Sequence, residues 1–164
     1  MAKAKYQFED FLSTVNDDCK GFVTTVHEML RQDGYKLRIQ ATKANGLQAS
    51  YYQPKVKGVA GVILLFLFRN NKLMVRIYGT NYKAYPDVLN SLPEKIASQI
   101  DKAENCVKFR DPERCWKGCI GYDFSIEGKQ YQKCITQCFQ FDVKDVPDLL
   151  ELIRSESKAR MAAV

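Results

Sequence analysis

Six cysteines, five of them between residues 106 and 138, are the side chains whose type and spacing could do chemistry in this chain of 164 residues. Cys115 and Cys119 form one C-x3-C pair, Cys134 and Cys138 form another, and Cys106 lies just upstream. Thiolates bind soft metal ions, and a structural zinc site takes four Cys or His ligands in a tetrahedron, with sulfur at about 2.3 Å. On a regular strand rising about 3.3 Å per residue, two cysteines four apart stand roughly 13 Å from each other. Cys134 and Cys138 therefore cannot both hold one ion if that strand is regular. Cys115 and Cys119 can converge, because Trp116-Lys117-Gly118 can turn between them and Asp111-Pro112 marks a loop before them. The spacing predicts a structural Zn2+ site at Cys106, Cys115, Cys119 and Cys134, with Cys138 as the substitute for Cys134 in a different register. Cys19 is remote from these five. Zinc sites use C-x2-C more often than C-x3-C, so two other readings stand beside this one. One is small buried thiols, since cysteine is among the most buried residue types. The other is redox or reactive use, although no C-x-x-C lies next to a βαβ unit.

Other chemistry is sparse. His27 is the single histidine, beside the apolar stripe of a helix, and no nucleophile partner is recognisable for it. No G-x-S-x-G, P-loop or G-x-G-x-x-G occurs. Asp111, Glu113 and Asp123 near the cysteines have the chemistry of an acid or base, but charged hairpin loops are usually only solvated. No catalytic residue is assigned, and the reading leans away from an enzyme. Tyr51, Tyr52, Tyr78, Tyr82 and Tyr85 interleave with Lys55, Arg76 and Lys83, a pattern that suits base stacking. Half-buried tyrosines at a sheet edge would give the same pattern.

These side chains need elements to hold them. Phe8, Phe11, Leu12 and Val15 have helical spacing over 6–15. Asn16 and Asp17 offer caps for a second helix over about 18–32, with Phe22, Val26, Met29 and Leu30 as its stripe. Asp33-Gly34 ends it. Residues 35–41 alternate as a strand, Asn45-Gly46 predicts a type I′ hairpin turn, and 47–53 return. Residues 58–68 are apolar on both faces, as in a central covered strand. Asn70-Asn71 turns the chain into the alternating 73–78. Ser91 with Glu94 fits a capping box for a helix presenting Ile96 and Ile100, with Val88, Leu89 and Leu92 beside them. Residues 105–141 form the Cys-rich subregion. In it, Ile120, Tyr122, Phe124 and Ile126 share one face of a strand, and Tyr131, Ile135, Phe139 and Phe141 share one face of a second over 131–141. Matching apolar faces puts Cys119, Cys134 and Cys138 together on the other face. A helix over 146–160, capped by Asp145, closes the chain with Leu149, Leu150, Leu152 and Ile153 inward.

The fold class predicted is α+β over 1–164 as a single domain. An antiparallel β-meander and a C-terminal hairpin carry the N-terminal, middle and C-terminal helices packed on the sheet. Hydrophobic content of 46% is enough for a globular core. The longest apolar run, 58–68, is 11 residues, short of the roughly 20 a span needs, so no membrane partner is expected. The start, MAKAKYQFEDF, has no secretory core, which makes the cysteines reduced thiols of a cytoplasmic protein. Net charge is +6, and residues 51–110 hold ten basic and four acidic side chains, an excess equal to the whole. That balance suits nucleic acid or another polyanion, although these charges alternate with apolar residues and form no block, so the partner expected is an unidentified protein or a polyanion, with nucleic acid not favoured.

The string Cys115-x3-Cys119-x-Gly121-Tyr122-Asp123-Phe124, followed by Gly128-x2-Tyr131-x-Lys133-Cys134, resembles a pattern in small uncharacterised bacterial proteins of similar length. That resemblance implies no activity. The order helix, meander, helix over about 6–104 also resembles the YdhG/YjbR-type α+β domains, some called frataxin-like. The resemblance would imply an acidic iron-binding surface, where this chain is basic. The leading expectation is a binding or adaptor protein with a structural zinc knuckle. The alternatives are a nucleic-acid-binding module on a basic, tyrosine-bearing sheet and a small zinc- or thiol-dependent enzyme.

Overall fold

The computed structural model describes residues 5–135, 138–145 and 149–163. Helix α1 (Phe8–Ser13) opens where the Gln7 N–H donates to Asp10 Oδ2 at 2.6 Å. Helix α2 (Asp17–Gln32) buries Cys19, Val23, Val26 and Leu30, and the expected Phe22 and Met29 flank that stripe half-buried. It ends at Asp33, and Gly34 takes φ +88°, the left-handed conformation that lets Gly34 N reach Arg31 O and Tyr35 N reach Leu30 O.

The meander follows as β1 (Lys36–Thr42), β2 (Gly46–Tyr52), β3 (Val62–Arg69) and β4 (Lys72–Ile77). With β7 (Gln140–Asp142) it makes one antiparallel sheet in the order β1-β2-β3-β4-β7, so the apolar strand is central, as its two-sided hydrophobicity requires. Phe66 and its cross-strand neighbours Ala49 and Val75 face the helices, where the Phe11 ring lies 6.1 Å and the Phe22 ring 6.4 Å from Phe66. The opposite face carries Lys36, Arg38, Tyr52, Arg76 and Gln140 by alternation.

Helices α3 (Pro86–Asn90) and α4 (Glu94–Lys102) lie beside a second sheet, the hairpin β5 (Tyr122–Ile126) and β6 (Lys129–Lys133). Helix α5 (Leu150–Ala162) completes an α+β fold with one continuous apolar core. No helix among the described residues is long and apolar enough to cross a membrane.

Four local expectations are corrected. Thr42 pairs with Gly46, so Asn45 ends a three-residue loop, and of Asn45 and Gly46 only Gly46 has positive φ. The turns with two positive φ values are Asn70-Asn71 (51° and 59°) and Glu127-Gly128 (49° and 80°). Ser91 caps no helix start: its hydroxyl donates to Asp87 O at the end of α3, and Pro93 takes the N-cap position of α4. Asp145 ends a 3-10 turn and pairs with Lys95 at 2.7 Å, while Leu149 precedes α5. Residues 146–148, part of the expected start of that helix, lie outside the described residues. Lastly, 131–141 is not one strand. The hairpin stops at Lys133, and the Cys138 N–H closes a turn on Cys134 O. Phe139 then stacks on Tyr82 at 4.3 Å, and β7 joins β4. Burial of these rings between the two sheets outweighs extension of the hairpin.

Helix α5 carries a polar centre within the core. Glu156 is 0% and Arg160 3% exposed, with Glu156 Oε1 accepting from Arg160 Nε at 2.8 Å. Glu156 also accepts from the backbone N–H groups of Thr80 (2.9 Å) and Asn81 (3.3 Å) and from the Tyr85 hydroxyl (2.5 Å). Arg160 donates to the carbonyls of Ala60, Val62 and Tyr78. Removing one partner of a buried pair strands the other charge, at about 3–5 kcal/mol. Glu156→Gln and Arg160→Met should each lower urea-unfolding stability on that scale. The double variant should cost less than the two single losses summed, because neither charge is then left alone.

Candidate binding site at the cysteine loop

Residues 105–121 cross from α4 to the hairpin. They are tied at one end by strand pairing: Cys106 N donates to Gln132 O at 2.8 Å and Cys134 N to Glu104 O at 3.0 Å. The buried Lys133 ammonium fixes the same place, donating to Asp101 O and Ala103 O at the end of α4, where carbonyls lack helical partners. Lys129 pairs with Asp101 on the surface.

Three of the four predicted zinc ligands gather here. Cys119 and Cys106 are buried and Cys115 half-buried, and all six cysteines are free thiols. The Cys119 N–H closes a turn on Trp116 O, the turn expected of Trp116-Lys117-Gly118. Burial pushes the Cys119 thiol up; a hydrogen bond with Cys115 and the nearness of Cys115 and Cys106 add to it, and a backbone hydrogen bond at Gly121 opposes it. Cys134 is set apart. The Asn105↔Lys133 bridge places Cys134 diagonally across from Cys106 on one face, a relation that spans about 7–8 Å. Cys138 follows within one turn, its thiol raised mainly by burial. Cys19 is buried on α2, far from the cluster. Among the described residues no three His, Cys, Asp or Glu side chains are arranged to hold a metal ion as they stand.

The face-matching expectation for Cys119, Cys134 and Cys138 fails, because Cys119 and Cys138 lie outside β5 and β6. Gly121, at φ +65°, breaks the alternation before Tyr122, which turns Ile120 outward to 54% exposure. Of the five tyrosines proposed for stacking, Tyr51, Tyr82 and Tyr85 are buried; Tyr52 and Tyr78 remain half-exposed. Asp111 pairs with Arg114 at 3.5 Å and Asp123 with Lys83 at 3.7 Å as surface ion pairs, while Glu113 is exposed and in no ion pair among the described residues.

Aromatic rings resting on glycines shape the surface here. A Cβ on Gly79 would meet the Tyr82 ring at 2.0 Å, one on Gly118 the Trp116 ring at 2.2 Å, and one on Gly121 the Phe109 ring at 2.7 Å and Cys106 Sγ at 2.9 Å. Between the 79–84 loop and the 120–123 segment lies an open cleft of about 620 Å³, walled by Tyr82, Phe109, Ile120 and Tyr122. Composition-based reading missed this cleft; the signal available was glycine placed close to each aromatic residue in sequence at 79/82 and 116/118.

His27 is a half-buried rim residue, as expected. Its Nδ1 lies 2.9 Å from the Tyr51 hydroxyl and its ring stacks on Phe8 at 3.7 Å. Comparison with protein-family models, with curated proteins and with solved structures returns no match.

Two outcomes follow from these contacts. Tyr82 is fully buried and cannot yield, so Gly79→Ala should cost about 1–3 kcal/mol by overpacking in urea unfolding. Trp116 is half-exposed and can swing away, so Gly118→Ala should leave stability within about 0.5 kcal/mol and shift tryptophan emission instead. Burial lowers the His27 pKa from its ordinary 6.5. The unfolded chain then binds the proton more readily, so this group's contribution to stability falls as pH drops below about 6.5. His27→Gln should flatten the stability profile between about pH 7 and pH 5, measured by urea midpoints.

Proposed function

We propose that the chain is a binding or adaptor protein whose interaction surface is the cysteine loop, fastened by a structural zinc ion. The observation that carries the reading is the gathering of Cys106, Cys115 and Cys119 beneath a loop that exposes Phe109, Trp116 and Ile120. A thiol cluster under an apolar surface loop suits a staple better than a catalytic centre. A catalytic zinc needs an open ligand position facing a substrate pocket. Cys134 would be the fourth ligand and Cys138 its substitute, and binding would draw the sulfurs inward from their present places. Zinc binding energy would then act as folding energy for the loop. Cytoplasmic residence accords with six reduced thiols.

A second reading, nucleic-acid binding on the open sheet face, has its own observation. Arg38 lies over the Tyr52 ring at 4.9 Å, and Arg76 donates to the Tyr78 hydroxyl at 3.1 Å, pairing cations with aromatic rings on that face.

Elemental analysis of protein purified without chelator should find about one zinc per chain, lost in Cys115→Ser and Cys119→Ser with weakened protection of 105–121 in hydrogen exchange. Metal-free protein with that segment equally protected overturns the staple. Steeply salt-dependent oligonucleotide binding, lost in Arg38→Ala, would favour the second reading.

A further inference from the structure

Seven large hydrophobic residues are exposed among the described residues, and four of them, Val107, Phe109, Trp116 and Ile120, fall within fourteen consecutive positions of the cysteine loop. Clustered apolar exposure of this kind marks an interaction site more often than scattered exposure does. Trp116 lies against Gly118 and Phe109 against Gly121, with each ring about half exposed. The cleft opens beside them, and a narrower hollow joins Ile120 to Val59 and Ala60.

The rim is cationic. Lys108, Arg110 and Lys117 on the loop and Lys55 and Lys57 on the neighbouring segment make no ion pair within the described residues. Of the acids alongside, Asp111 and Asp123 already face Arg114 and Lys83, and Glu113, in no ion pair among the described residues, offsets only one of the loop's cations. Like charge disfavours a second copy of this surface, and complementary charge favours an acidic partner.

We infer that the ridge of Phe109, Trp116 and Ile120, with its cleft, docks an acidic segment of a partner protein that inserts one or two large apolar side chains. This deepens the binding-protein reading and rests on it. Trp and Arg are the residue types most enriched at the energetic centres of protein interfaces. A lipid surface fits less well, because Trp116 and Phe109 pack against glycines of their own loop and a concavity opens beside Phe109 and Ile120. Nucleic acid fits less well too, because two of the loop's four exposed apolar residues, Val107 and Ile120, are aliphatic and offer no ring to a base.

Trp116 is the only tryptophan in the chain, so its emission reports occupancy of the ridge directly. The test pans a random dodecapeptide phage library on the full chain, with counter-selection on Ile120→Ser. That position is exposed, and the variant is first checked for a parent-like circular dichroism spectrum. Clones kept by the parent chain and lost by the variant should be net acidic with one or two large apolar residues. A Trp-free synthetic copy should shift Trp116 emission to the blue. Its affinity should fall about tenfold or more in Ile120→Ser and severalfold between about 50 and 300 mM salt. The inference is overturned if no clone prefers the parent chain, if the clones are neutral or basic, or if emission responds instead to phosphatidylserine vesicles or to oligo-dT. Zinc is measured on the same preparation. Zinc-free protein that still selects acidic peptides sinks the staple and keeps the docking site; zinc-loaded protein that selects none sinks the docking site alone.

Discussion

The carboxylate of Glu156 holds the cleft loop and the helix α5 guanidinium at once, and much of the surrounding geometry depends on it. The loop at 79–82 has no regular partner for its N–H groups, and Glu156 supplies one for both Thr80 and Asn81. Arg160 balances that charge and collects carbonyls from the start of β3 and the end of β4. Such a centre is costly to desolvate, and its contribution to net stability relative to an apolar core is small. What it adds is directionality. Apolar contacts would let α5 slide along the sheet, whereas two backbone donors on one side and three carbonyls on the other admit a single register.

From that fixed loop the rest of the candidate site is placed in sequence. Tyr82 rests on Gly79 and stacks on Phe139, which also contacts Tyr122 and Phe124. The hairpin is thereby docked, and its far strand is clamped to α4 by Lys133. The cysteine loop hangs between these two anchors, with its outward rings seated on glycine. Between the anchors the loop is shaped by its own short turns, closed by the N–H groups of Arg110 and Asp111 on Val107 O, Arg114 on Asp111 O and Cys119 on Trp116 O.

The sequence made the meander legible because period-2 alternation at 35–41 and 73–78 and the two-sided run at 58–68 have few other solutions. Helix α2 and its glycine stop were legible for the same kind of reason. The region after Gly121 misled. Phe139 and Phe141 have the parity of a hairpin strand, and nothing local says that they leave it for the other sheet. Only the aromatic cluster around Tyr82, sixty residues away in sequence, decides that. Glu156 and Arg160 have the i,i+4 spacing of an ordinary solvated pair, and nothing in their residue types alone marks them as buried. Their placement on the stripe that runs from Leu149 through Leu152 and Ile153 was the available sign that they point inward. The turn at Trp116 that lets Cys119 approach Cys115 was legible in Trp116-Lys117-Gly118, while the place of Cys134 depended on where β6 ends.

Helix α5 also sets the order in which this molecule can be completed. Its contacts close very long loops: Glu156 to Thr80, Arg160 to Ala60, and Ser157 to Asp33 at 2.6 Å. The meander, by contrast, closes through short hairpins and can form early. A nascent or partly unfolded chain can therefore own a finished sheet while the amides of the 79–82 loop still face water and the aromatic cluster has no lid. In that interval the molecule is a half-shell with an open apolar seam. The final helix acts as its latch, converting a sheet that merely persists into a chain with one shape.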